Sequence, residues 1–158
     1  MARFHADLPP SSRCPVHPDA PTVVILAGGL GTRLRSVVSD RPKVLADIAG
    51  RPFLSYWLDR LSFQGFHDVI LSTGHLASHV EERFGSTYGP LKLRYSVEPE
   101  ALGTGGALRL ASLQVSGPWV LALNGDSYCD VDLSAFYQAH QQRQARASLV
   151  VQFEPDTR

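Results

Sequence analysis

The run Thr22-Val23-Val24-Ile25-Leu26-Ala27-Gly28-Gly29-Leu30-Gly31-Thr32-Arg33-Leu34 decides the fold class. Thr22 to Ala27 is short, continuous and apolar, and it is rich in β-branched side chains. That is the pattern of a strand buried on both faces, as in a parallel sheet carrying helices on either side. A glycine-rich loop follows directly. Gly28, Gly29 and Gly31 let the backbone approach a ligand closely and adopt positive φ. Their N–H groups can line a nest for phosphate oxygens. Arg33 adds a planar fork suited to bidentate phosphate contact. Three glycines and an arginine are more than a tight turn requires.

Working outward, strand-like and helix-like segments alternate. Pro52 to Phe63 reads as a helix, with Pro52 in its first turn and Phe53, Trp57, Leu58 and Leu61 on one face. Gly65 is a natural stop. Asp68 to Ser72 is strand-like. His75 to Phe84 is helical, with Leu76, Val80 and Phe84 four apart. Leu91 to Val97 is a strand, Gly106 to Leu113 a short helix and Trp119 to Leu123 a fourth strand. Leu133 to Ala147 is a helix with Asp132 as its N-cap. Ser148 to Phe153 reads as a last strand. The alternation predicts an α/β fold, a Rossmann-like, mostly parallel sheet with helices on both faces.

Two other nucleotide loops fit the glycine run poorly. Gly29-Leu30-Gly31-Thr32-Arg33-Leu34 matches only part of G-x-G-x-x-G, because Leu34 replaces the third glycine. The second strand ends in Ile70-Leu71-Ser72, without the acidic residue that would bind a dinucleotide ribose. A P-loop is excluded, since no Gly-Lys-Ser/Thr follows. Two further segments sit at strand ends. Glu98-Pro99-Glu100-Ala101-Leu102-Gly103-Thr104-Gly105-Gly106 joins a strand to a helix through closely spaced glycines. Leu123-Asn124-Gly125-Asp126 places a carboxylate past a strand's carboxyl end, where open α/β sheets bind ligands. Mg²⁺ on phosphates typically uses one or two such carboxylates.

Gly28 to Leu34, followed by Arg41-Pro42-Lys43, resembles the signature of the sugar-phosphate nucleotidyltransferases. The resemblance runs from about Val23 to the end of the chain. Within that family, the stretches Leu30 to Asp40, Ile48 to Leu54 and Leu123 to Asp126 look most like the D-glycero-D-manno-heptose 1-phosphate guanylyltransferases. The resemblance implies the nucleotide-diphospho-sugar transferase fold. It implies that Arg33 and Lys43 hold the triphosphate during catalysis. The nucleotide would lie against Leu26, Ala27, Gly28, Gly29, Gly31 and Thr32, with Glu98, Gly103 and Thr104 near base and ribose. Asp126 would bind Mg²⁺. The implied substrates are an NTP, with GTP expected, and a sugar 1-phosphate, with a heptose 1-phosphate expected. The family's second metal-binding Asp and most of its sugar contacts lie further along than Arg158, so the expected fold is C-terminally incomplete. A non-catalytic nucleotide-binding regulatory module of the same fold is the alternative.

Residues 1–21 hold five prolines and no periodicity, and read as a flexible arm before a domain at 22–158. Fifteen basic residues offset fifteen acidic ones, which gives no electrostatic case for nucleic acid or an anionic membrane as partner. No apolar run reaches the roughly 18 residues of a membrane span. Cys14 and Cys129 are too few for a disulfide framework. A cytoplasmic location is the expectation, in the absence of a signal-peptide pattern. His75 and His79 lack both the H-E-x-x-H pattern and a third ligand, and read as a solvated or cap-packing pair rather than a metal site.

Overall fold

The computed structural model describes residues 20–29, 42–74 and 76–151. The expectations for Gly31, Thr32, Arg33 and His75, and for most of the N-terminal arm, lie outside the described residues. Five strands form the main sheet: β1 (Thr22–Leu26), β4 (Asp68–Thr73), β5 (Thr87–Tyr88), β6 (Leu91–Val97) and β7 (Val120–Asn124), in the order β5-β6-β4-β1-β7. β1 pairs in parallel with β4 and with β7, and β4 pairs in parallel with β6. Among the described strands of this sheet only β5 runs antiparallel, against β6.

β1 is enclosed from both faces, and Val23, Val24 and Ile25 are each 0% exposed. Alternate side chains serve different layers, as the period of two demands. Val23 and Ile25 join Val69, Leu71, Leu93 and Leu121 in the larger core. Three helices cover that face: α1 (Phe53–Phe63), α2 (Ala77–Phe84) and α4 (Leu133–Gln142). Their buried contributions are Leu54, Trp57, Leu58 and Leu61, then Val80 and Phe84, then Leu133. Val24 and Ile70 face the other way, onto Ala111 of α3 (Gly103–Ser112). Each such side chain contributes about 1.5–3 kcal/mol through burial. None of the described helices is long and apolar enough to cross a membrane.

A small hairpin precedes α1. Its strands, β2 (Asp47–Ile48) and β3 (Arg51–Pro52), are antiparallel. Both turn residues have positive φ, 52° at Ala49 and 82° at Gly50, as a two-residue hairpin turn favours. The Gly50 N–H donates to Asp47 Oδ1 at 2.9 Å. Arg51 then reaches Asp59 of α1 at 2.6 Å, and the Tyr88 hydroxyl donates to the same carboxylate at 2.7 Å. Burial, reinforced by Asp59, pushes the Tyr88 phenol above its ordinary pKa.

Several boundaries differ from expectation. α1 buries Leu54, while Phe53 is only partly covered. α3 begins three residues early, at Gly103, because Glu98 Oε2 accepts from the Leu102 N–H and closes the preceding turn. α4 stops at Gln142, since Gln144 has φ 48° and turns the chain out of the helix. Asp132 does cap α4, accepting from the Ala135 N–H at 2.8 Å. Ser148 to Val151 forms no strand. Leu149 and Val151 are 83% and 82% exposed, and β-branched residues hold a strand only when they have a ladder and a surface to pack on.

Candidate active site

The parallel ladders continue one residue past the strands and draw three loops together. The Ala27 N–H donates to Ser72 O, the Gly125 N–H to Leu26 O and the Glu98 N–H to Thr73 O, at 2.7, 2.9 and 2.7 Å. The segments after β1, β6 and β7 therefore converge at one edge of the sheet. Between them lies a cleft of about 500 Å³. Leu26, Ala27, Gly28, Gly29, Lys43, Glu98, Gly103, Thr104 and Asp126 all line it. Every candidate residue that is described thus reaches one cavity.

What a glycine supplies at position 28 is room for the Glu98 side chain rather than positive φ. Neither Gly28 nor Gly29 has positive φ, contrary to one part of the sequence reading. A Cβ on Gly28 would lie 2.4 Å from Glu98 Oε1 and 3.3 Å from the Gly74 nitrogen. The Glu98 carboxylate therefore sits directly over the loop. Its other oxygen, Oε2, accepts from Leu102 N–H at 3.0 Å, which fixes the carboxylate against the start of α3.

Lys43 enters from a separate direction. It opens a single 3₁₀ turn, Lys43–Leu45, closed by the Ala46 N–H donating to Lys43 O. Val44, next to it, is 2% exposed and anchors the turn in the core. Lys43 Nζ stands 3.8 Å from Asp126 Oδ2, and the two side chains are 29% and 55% exposed. A cation and a carboxylate thus face each other across the cleft mouth, both open to solvent. β7, which delivers Asp126, is an edge strand of the sheet among the described residues, although a central parallel strand was expected to carry Asp126.

A family model described as nucleotidyl transferase matches residues 22–158. The chain belongs to the nucleotidyl transferase family. This nucleotidyl transferase chain is 45% identical over 117 residues to the D-glycero-alpha-D-manno-heptose 1-phosphate guanylyltransferase of Aneurinibacillus thermoaerophilus, covering 74% of the chain and 51% of that relative. It is 41% identical over 111 residues to the enzyme of the same name from Campylobacter jejuni, covering 70% and 50%. The solved structure of HddC from Yersinia pseudotuberculosis, complexed with GMP-PN, superimposes with a TM-score of 0.69 at 38% identity, covering 77% of this chain and 54% of that one. The chain spans about half the length of the curated relatives it matches.

Ala101, Ala107 and Asn124 also line the nucleotidyl transferase cleft, and the sequence reading did not single them out. Asn124 stood inside a quoted motif, and its place as the last residue of a parallel strand was the available signal. The alanines carry none, being small and neutral. Two other depressions have similar or larger volumes. One of about 600 Å³ lies between the hairpin and α2, and one of about 710 Å³ runs along β7. Neither includes the glycine turn after β1.

Gly125 leads to a prediction about stability. A Cβ there would meet Leu26 O at 2.8 Å and the Ile25 and Val44 side chains at 3.1 Å. The nearest of these is backbone, which cannot rotate away. Gly125→Ala is expected to lower stability by about 1–3 kcal/mol, the usual cost of overpacking. Urea denaturation measures it, and an unchanged midpoint would contradict the close approach.

Proposed function

We propose that the chain binds GTP with Mg²⁺ in this cleft and serves the transfer of GMP onto a sugar 1-phosphate, a heptose 1-phosphate, with release of pyrophosphate. The observation that carries the proposal is the convergence of the Gly28 loop, Lys43 and Asp126 on one cavity at the carboxyl ends of parallel strands. In open α/β sheets that edge is where ligands bind.

The reaction needs alignment and charge neutralisation more than proton transfer. A phosphate oxygen of the sugar 1-phosphate attacks the α-phosphorus of GTP, and the bond to the pyrophosphate oxygen breaks. The attacking oxygen already carries charge, so no general base is required. Lys43 suits the role of holding phosphate oxygens in line, and Arg33 has the same role by resemblance to the family. Among the described residues no three His, Cys, Asp or Glu side chains gather to hold a metal. One half-exposed carboxylate, Asp126, still fits Mg²⁺ arriving on a triphosphate, because that ion keeps several waters and takes few protein ligands. When bound, the metal supplies Lewis-acid neutralisation of phosphate charge.

Glu98 supports the choice of base. Guanine presents an N–H and an NH₂ side by side, and a carboxylate offers only acceptors. Glu98 Oε1, above Gly28, can take one of those donors. The guanylyltransferase names of the relatives and the GMP-PN in HddC point the same way. They also weigh against the purely regulatory reading. Calorimetry with ATP, GTP, CTP and UTP, each with Mg²⁺, tests the proposal. GTP is expected to bind most tightly. Failure of all four with a folded sample would end the nucleotide reading, while preference for another base would end only the guanine assignment.

A further inference from the structure

We infer that Arg60, on α1, is a positioning residue for Asp126, and that α1 sets the spacing between the Asp126 carboxylate and Lys43. The inference rests on the nucleotide reading above. The loop from Asp126 to Asp130 is exposed throughout and has no burial of its own to fix it. Among the described residues Asp126 makes only weak contacts: Ser127 Oγ at 3.3 Å and Lys43 at 3.8 Å. The place of its carboxylate is therefore inherited from the backbone on either side. On one side the Gly125 N–H is tied to Leu26 O. On the other side the ties among the described residues come from α1 and from Gln64, which caps it.

Trp57, Arg60 and Gln64 stand three and four residues apart, on one stripe of the helix. Trp57 Nε1 donates to Ser127 O at 2.7 Å, next to Asp126 itself. Arg60 donates twice to Val131 O, from Nε at 3.2 Å and from Nη2 at 2.5 Å. Its Nη1 donates to the Tyr128 hydroxyl at 3.2 Å and pairs with Asp130 at 2.9 Å. Gln64 accepts from the Leu133 N–H at 2.8 Å. Arg60 thus grips this segment through Val131 O and Tyr128, the pair with the exposed Asp130 adding little, and its side chain is only 18% exposed. The opposite end of α1 holds the other half of the site: the Phe53 N–H donates to Ala46 O at 2.9 Å, one residue beyond the Lys43–Leu45 turn. One rigid helix therefore carries both the Lys43 segment and the Asp126 loop.

A purely structural role for Arg60 would show in stability and in nucleotide affinity with or without metal. A positioning role shows in the metal-dependent part alone. The test is Mn²⁺ binding in the presence of GTP, followed by the free-ion paramagnetic signal, on the full chain and on Arg60→Ala, Arg60→Lys and Asp130→Asn. Residues that orient metal ligands typically alter metal affinity by about 10–100-fold when removed. Arg60→Ala is expected to weaken Mn²⁺ by about tenfold or more, with metal-free GTP affinity unchanged. Arg60→Lys should fall between it and the wild type, since a lysine cannot hold Val131 O through a planar fork. Should Arg60→Ala not fold, Arg60→Lys carries the test alone. Asp130→Asn should match the wild type, because that carboxylate is 86% exposed. Wild-type Mn²⁺ affinity in Arg60→Ala or Arg60→Lys, or equal losses with and without metal, would overturn the positioning role. A wild-type chain that binds no Mn²⁺ with GTP would overturn it together with the nucleotide reading.

Discussion

Asp126→Asn is expected to keep its fold and to lose the Mg²⁺-dependent part of GTP binding. The substitution is nearly isosteric. It breaks one ion pair with Lys43, but at 3.8 Å and with Asp126 half exposed that pair adds little to stability. What disappears is the negative charge that a divalent cation needs. The sign of the metal-free control is informative as well. Without metal, the wild-type carboxylate repels the triphosphate and occupies Lys43. Removing its charge should leave metal-free GTP binding unchanged or slightly tighter. Titrations with Mg²⁺ and with EDTA measure both. A variant whose GTP affinity still rises with Mg²⁺ as the wild type's does would exclude Asp126 as the metal ligand.

Lys43→Ala is expected to weaken GTP binding by roughly 10- to 150-fold, equivalent to ~1.5–3 kcal/mol for a hydrogen bond to a charged group. The melting temperature should barely move. The turn that carries Lys43 is anchored by Val44 and by backbone hydrogen bonds, none of which uses the ammonium group. Unlike Asp126→Asn, this variant should lose affinity both with and without Mg²⁺, because the proposed site puts the Lys43 ammonium on the phosphates themselves. Calorimetry and a thermal melt on the same sample separate the two quantities. Unchanged affinity would make Lys43 an ordinary surface lysine.

The centre of the sheet was legible because β1 and β4 are enclosed on both faces. Thr22–Leu26 and Asp68–Thr73 are nearly unbroken apolar runs, and only burial on two faces produces them. α1 was legible through its apolar stripe. The two-residue strands β2, β3 and β5 were not. They are too short for any periodicity, and contacts distant in sequence, such as Arg51 with Asp59 and Tyr88 with Asp59, hold them in place. The opposite error came at Leu149-Val150-Val151, where strand propensity stood without a partner to pair with.

The site divides along the same line. Gly28, Lys43, Glu98 and Asp126 could be named in advance because each follows a strand end or lies in a recognisable motif. The convergence of Gly28, Glu98 and Asp126 follows from parallel pairing, since strands running the same way deliver their loops to the same edge, whereas Lys43 arrives on a separate turn held by Val44. The grip of α1 on the Asp126 loop could not be read. Trp57, Arg60 and Gln64 look like ordinary core and surface positions of an amphipathic helix, and their partners lie 67 to 71 residues away in sequence.

The central claim is that Asp126, Lys43 and the Gly28 loop form one metal–nucleotide site. Crystals of the chain grown with GTP and Mn²⁺, with anomalous scattering used to locate the metal, test it most directly. The account predicts a Mn²⁺ peak within coordination distance of an Asp126 oxygen and of the triphosphate, with Lys43 on a phosphate oxygen and the base beside Glu98. Nucleotide bound with its metal away from Asp126, or density in the depression along β7 with the cleft empty, would contradict it.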